Sequence, residues 1–506
     1  MILDEDSVGS SHGPTLDELF RRAGVRHPDS LALVDPPNRE SFTDGAPRSL
    51  TYAQADHAIA ELASQLRGLG LATDTVVAIQ LPNTVDAVIT LLAVLRAGLI
   101  AAPLPLLWRE QDIVAALNPI GAKAIITAGT INAHPHAVTA MQAAVELFPI
   151  RYVCALGRDL PDGAVTLGTA PALFPDLAPQ RPRPGPAAAH VAVVNFEVTT
   201  GGIVPVARSH SALIAGGLAA FLESGMARNA PLLSTVTPGS FPGIALSVVA
   251  WLLGGGTLHL HHGFDPAIFA AQTRETAGGT LLLPGPVLPP FAKAGLATTM
   301  QNIVALWRAP ERLTLAPAWR GTTALTDVAS FGELGLVAMR RDADGMPSAI
   351  PGGLITAPRQ AADGEPVIET LRTETGTLAL LGRMVPHKAF PPGAEPGRMP
   401  QLGFDDTGLL DTGYPCRREG HGLVVTGPPA GITGIGGYRF GTRNLEAEVA
   451  EIDASATITA LPDALTGERL AASATDVVAI QTALRKRGAN PLIAAAFRAR
   501  HRSQAA

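Results

Sequence analysis

The stretch TVVAIQLPNTVDAVITLLAVLRAGLIAAPL, residues 75–104, decides the fold. TVVAIQL is a strand-like run, PNTVDAVITLLAVLRAG is a helix opened by an Asn and closed by Gly98, and LIAAPL is a second short strand. Two strands joined through a helix must lie parallel, so the sheet is covered by helices and buried. The preceding LTYAQADHAIAELASQLRGLGL places Ala55, Ala58, Ile59, Leu62 and Leu66 at helical spacing and closes on Gly70. The same alternation recurs in QDIVAALNPIGAKAIITAG, in ALIAGGLAAFLES and in ALSVVAWLLGGGTLHLH. The fold class is therefore α/β, with a large layered body to about residue 330.

Beyond it the texture changes. Short β-like runs between Gly and Pro mark 350–427 as a β-rich subdomain within a large domain spanning 15–427. GPPAGITGIGG reads as a hinge over 428–436, and 437–506 as a short α+β lobe with helix RNLEAEVAEI, strand ATITALP and helix TDVVAIQTALRKRG. Residues 1–14 read as a flexible N-terminus.

Composition narrows the function. The 506 residues are 47% hydrophobic and 16% charged, ample for burial across about three structural units. A net charge of −6 gives no footprint for nucleic acid. Two distant cysteines and no basic-then-apolar leader predict a cytoplasmic protein without a membrane span. Lysine is scarce: Lys123, Lys293, Lys388 and Lys486 are the four in the chain.

The order of these motifs resembles the adenylate-forming, or AMP-binding, superfamily: acyl- and aryl-CoA synthetases, nonribosomal adenylation domains and luciferases. It extends over roughly residues 15–475. TTGGIVPVARSH is similar to the phosphate loop, DVASFGELGLVAMRR to the adenine and acyl-pocket turn, LLDTGYP to the ribose turn, and GPPAGITGIGGYRFG to the interdomain hinge. The resemblance implies attack of a carboxylate on ATP, with Mg²⁺, to give an acyl-adenylate that a thiol such as CoA captures. It assigns Glu333, Thr199 and Thr200 to catalysis, with Glu333 on Mg²⁺. Thr199, Thr200, Gly201, Gly202, Thr412 and Tyr414 fall at positions for the nucleotide or another anion, with Arg208 and Arg439 as substitute anion-binding residues, and Ser240 and Ser330 at the acyl pocket, with Ser240 enlarging it.

Several anchors depart from that pattern. The loop lysine falls at Val204, its Ser-Gly at Glu197-Val198, the Tyr-Gly before Glu333 at Ala329-Ser330, the ribose aspartate at Tyr414, and the following arginine at Pro428. The chain ends in NPLIAAAFRARHRSQAA, without the family's Gly-Lys turn, and Lys486 reads as a solvated helix residue. A charged hydrogen bond contributes about 1.5–3 kcal/mol, so several lost anchors rival the roughly 8 kcal/mol of micromolar binding. The expectation is a divergent acyl- or aryl-CoA-synthetase-like protein with a cleft for a carboxylate, acyl-adenylate or acyl-CoA, impaired in adenylation, a pseudoenzyme in the limit. An active ligase using Arg208, Arg439, Glu333 and the loop amides, and a non-catalytic partner subunit or homo-oligomer, stand as alternatives. TLHLHHGFD offers His259, His261, His262 and Asp265 as a minor metal candidate. Ser209-His210 and PGSFPG give no hydrolase geometry.

Overall fold

The computed structural model describes residues 13–168, 183–296, 299–359, 361, 363–392, 402–405 and 407–498. The N-terminus expected to be flexible thus lies outside the described residues, Gly13 and Pro14 excepted. The body holds two sheets. In the first, Val76–Gln80, Ile100–Pro103, Ala124–Ala128, Tyr152–Leu156 and Val191–Thr199 run parallel, and Gly202–Ser209 folds back antiparallel at the edge. In the second, Leu31–Val34, Leu232–Ser234, Leu258–Leu260, Thr280–Pro284, Asn302–Trp307 and Ala324–Ser330 are parallel, with antiparallel edges at Ser49–Thr51 and Leu336–Arg340.

The helix Val85–Arg96 is buried at every residue except Asp86 and Arg96, as an all-round apolar helix must be. Its start is not capped by the Asn expected there. Asn83 instead donates to the carbonyls of Ser234 and His261, 3.0 Å each, tying the helix entry to the other sheet. The Asp35 carboxylate accepts from Val85 N at 2.7 Å and so satisfies the helix start from fifty residues away. Helix Tyr52–Gly68 carries a capping box from Thr51 and Gln54 and buries Ala55, Ile59, Leu62 and Leu66.

The β-rich part is a six-stranded antiparallel sheet between Ile350 and Val425. The C-terminal lobe is a four-stranded sheet carrying the helices Thr442–Ile452, Val477–Lys486 and Pro491–Ala496. Within the stretch expected to be a hinge, Ile432–Ile435 is a strand, paired with Tyr438–Gly441 through the two-residue turn Gly436-Gly437. Both turn glycines have positive φ, 58° and 102°, as a tight hairpin requires. Strand Gly467–Ser473 is a further element without a sequence expectation.

Candidate active site

Parallel strands leave their ligand crevices outside their carboxyl ends, and here both sheets direct those ends to one place. Phe196–Val198 come from the first sheet; Thr235–Thr237, Pro284, Arg308 and Ser330 come from the second. The 432–441 hairpin roofs the space with Tyr438 and Arg439, enclosing a cleft of about 280 Å³. Trp108 and Phe196, their rings 5.6 Å apart, form an apolar wall.

The floor is charged. Glu197 is 3% exposed and pairs with Arg439, which reaches in from the lobe. Its second oxygen accepts from Glu333 N at 2.6 Å. Gly332 makes this approach possible: at φ +59°, a Cβ there would lie 2.1 Å from Glu197 Oε2. Glu333 Oε2 accepts from Phe241 N at 2.6 Å. Burial pushes the Glu333 carboxyl up to about 7, against the Phe241 amide and the Arg308 and Arg208 charges that favour ionisation, while Glu197 adds to the rise.

Arg308 extends from the end of Asn302–Trp307 into the cleft and donates from Nη2 to Ser240 Oγ at 2.9 Å. Gly437 gives it room, since a Cβ there would sit 2.4 Å from Arg308 Cδ. Burial lowers the Arg308 pKa, Arg439 lowers it further, and Glu333 and Tyr438 oppose this. The neighbouring Trp307 turns the other way, donates to Asp327 Oδ1 at 2.7 Å, and lines a second cavity of about 410 Å³ with Trp319.

The residues assigned from the resemblance divide in two. Glu333, Ser240, Ser330, Tyr414 and Arg439 line the cleft; Thr199, Thr200, Gly201, Gly202, Arg208 and Thr412 do not. Thr199 and Gly201 close their own turn, the hydroxyl donating to Gly202 O and accepting from Gly201 N. Thr200 packs its methyl against Gly431. The expected strand-to-helix loop is a hairpin turn between Val191–Thr199 and Gly202–Ser209, and Val204, 3% exposed, pairs opposite Glu197. Arg208 is buried outside the cleft lining, 3.7 Å over the Phe241 ring, and donates to Met384 O, Leu334 O and Glu333 O, with Nη1 left without a partner. Thr412 donates to Leu378 O and accepts from Tyr414 N. Tyr414 stacks edge-on to Phe331 with Arg439 5.3 Å from its ring centre. Ser240 does not enlarge the cleft unopposed, because the Arg308 fork occupies the space beside it, while Phe241 and Trp251 stay out of the lining.

Among the described residues no group of three His, Cys, Asp or Glu is arranged to hold a metal. His261 Nδ1 is hydrogen-bonded to Gln272 Oε1 at 2.7 Å. No helix among the described residues is long and apolar enough to cross a membrane. Arg308 and Tyr438, whose hydroxyl accepts from Leu107 N, are cleft residues that motif reading passed over. The available signal was a charge directly after a fully buried strand.

Residues 20–284 match the family described as AMP-binding enzyme. The chain belongs to the AMP-binding enzyme family. This AMP-binding family member is 26% identical over 488 residues to a 2-hydroxy-7-methoxy-5-methyl-1-naphthoate–CoA ligase from Streptomyces carzinostaticus, covering 92% of the chain and 84% of that relative. A shorter match, 32% identical over 109 residues, is to the medium-chain fatty-acid–CoA ligase of Escherichia coli K12, 22% of this chain and 18% of that one. The amide bond synthetase McbA from Marinactinospora thermotolerans shares the fold, with a TM-score of 0.67, 21% identity and 94% of each chain covered.

Proposed function

We propose that the chain binds an acyl or aryl carboxylate, or the adenylate or thioester made from it, and is impaired in ATP-dependent adenylation by the usual route. One observation carries this reading. Beside the turn to which the resemblance assigns a phosphate-neutralising lysine stands a buried carboxylate, Glu197, already paired with Arg439. At that turn a triphosphate finds no lysine and a carboxylate whose partner, Arg439, is already engaged, while the guanidinium left without an ion pair, Arg308, is held at Ser240.

Magnesium and ATP fit the remaining residues poorly. Glu333 offers one carboxylate, with an oxygen engaged by the Phe241 amide and its pKa raised to about 7 by burial; Mg²⁺ needs few protein carboxylates but takes its other ligands from water and substrate phosphates, and it is the cradle for those phosphates that is depleted. The Thr199 hydroxyl and Gly201 amide are spent within the turn. A phenol at Tyr414 cannot grip a ribose diol as a carboxylate does.

The second reading is an active carboxylate–CoA ligase in which Arg308 and Arg439 replace the lysine. Similarity to a naphthoate–CoA ligase along nearly the whole chain favours it. Acid-dependent pyrophosphate exchange with benzoate, 1-naphthoate and decanoate, run beside a thermal titration with Mg·ATP, separates the two. No exchange is expected, and no ATP-induced stabilisation of the size that saturation at 100-fold Kd gives, about 2.7 kcal/mol. Brisk exchange with any of these acids replaces the first reading with the second.

A further inference from the structure

A guanidinium withdrawn from bulk water requires an anion or a complete set of acceptors. Arg439 has its anion in Glu197. Arg308 has one hydrogen bond, to Ser240 Oγ, and no carboxylate within ion-pair distance among the described residues. The groups whose charge reaches it are Glu333, Tyr438 and Arg439. Glu333 is turned to the Phe241 amide and Tyr438 is a phenol hydrogen-bonded at Leu107. Glu311 and Glu468 also line the cleft, neither in an ion pair with Arg308 among the described residues: one Glu311 oxygen is buried without a partner and its charge interacts with Arg439 and Arg312, and Glu468 accepts from Gly434 N at 2.9 Å. The unused edge of the Arg308 fork therefore opens onto the cleft beside an apolar wall that includes Trp108, Phe196 and Leu306.

We infer that Arg308 is the receptor for the free carboxylate of an apolar acid, which makes it the residue that sets the cleft's preference for the acid over neutral derivatives. A planar fork suits a carboxylate bidentately, and Ser240 fixes one of its edges while leaving the rest available. This inference rests on the carboxylate-derived ligand proposed above and selects, from acid, adenylate and thioester, the free acid.

The test is calorimetric titration of the full chain with benzoate, 1-naphthoate and decanoate, each beside its primary amide, and with 1-naphthoyl-CoA and a sulfamoyl mimic of naphthoyl-adenylate. At least one acid is expected to bind about tenfold or more tighter than its amide, the size of a charge-assisted hydrogen bond. Arg308→Met should bring that ratio to about one while the amide's affinity holds. If Arg308→Met does not fold, Arg308→Gln decides: it keeps a hydrogen-bonding side chain beside Ser240 and loses the charge, so an unchanged ratio overturns the inference. Equal binding of acid and amide in the natural chain, or binding of the thioester or adenylate mimic without any acid, overturns the role of Arg308 and leaves the proposed cleft standing. Failure of every probe to bind overturns the proposed function itself.

Discussion

Among the contacts between the C-terminal lobe and the body, two are electrostatically opposite. On the cleft side Arg439 meets Glu197, side chains 12% and 4% exposed, in a pair of opposite charges. At the other, two acids approach each other: Asp112, on helix Glu110–Leu117 of the body, and Glu448, on helix Thr442–Ile452 of the lobe. Asn490 donates to Asp112 at 3.3 Å, and one Glu448 oxygen is buried without a partner. Burial raises Asp112 to about 6 despite Arg109, and raises Glu448 to about 7, with Asp112 and Glu451 adding and Arg487 opposing. The first contact is an ion pair, whereas the second closes comfortably when it holds a proton. The lobe is thus anchored at the cleft and conditional at Asp112 and Glu448.

The largest expected effect comes from breaking the anchor. Arg439→Ala leaves Glu197 buried and unpaired, and loss of one partner of such a pair costs about 3–5 kcal/mol. Faster amide exchange across residues 432–441 and a lower unfolding temperature should follow. Unchanged exchange there means that the pair does not hold the lobe.

A smaller loss is expected from Gly332→Ala, which must adopt φ +59° with its Cβ 2.1 Å from Glu197 Oε2 and 2.5 Å from Arg439 Nη1. Strain of this kind costs about 1–3 kcal/mol. Because it acts through the same pair, its cost in an Arg439→Ala background should shrink. Strict additivity in chemical denaturation would separate the glycine from the anchor.

The smallest effect sharpens the conditional side. A carboxyl whose pKa is higher in the folded state binds an extra proton there, so its contribution to stability falls as pH rises from the ordinary carboxylate range through the folded value. For Glu448 that window ends at about 7. Glu448→Gln should therefore raise the unfolding temperature near pH 8, change it little near pH 5, and flatten the slope between. Identical slopes for the two proteins would remove Glu448 from the comparison.

The body was legible because its signals are local. Val76–Gln80 and Val85–Arg96 are dominated by apolar residues, and burial between layers suits such runs. The hairpin at 432–441 hid behind its glycines, although Gly-Gly between β-formers is itself a hairpin signal. In the cleft, Glu333, Tyr414 and Arg439 were reachable through motif order. Arg208 misled, because its partners are main-chain carbonyls more than 120 residues away, which carry no side-chain signature. Asn83 misled similarly: an Asn before a helix reads as a cap, but here two distant carbonyls claim its amide.

Arg308 and Trp307 are sequence neighbours that serve opposite cavities, and this makes the cleft's chemistry a matter of reading frame along one strand. A single-residue insertion or deletion in Asn302–Trp307 would exchange the two faces, delivering an indole where a guanidinium now stands and carrying the charge into the second cavity beside Asp327. The charge of the cleft thus hangs on the register of one strand, which also sets Leu306 in the wall.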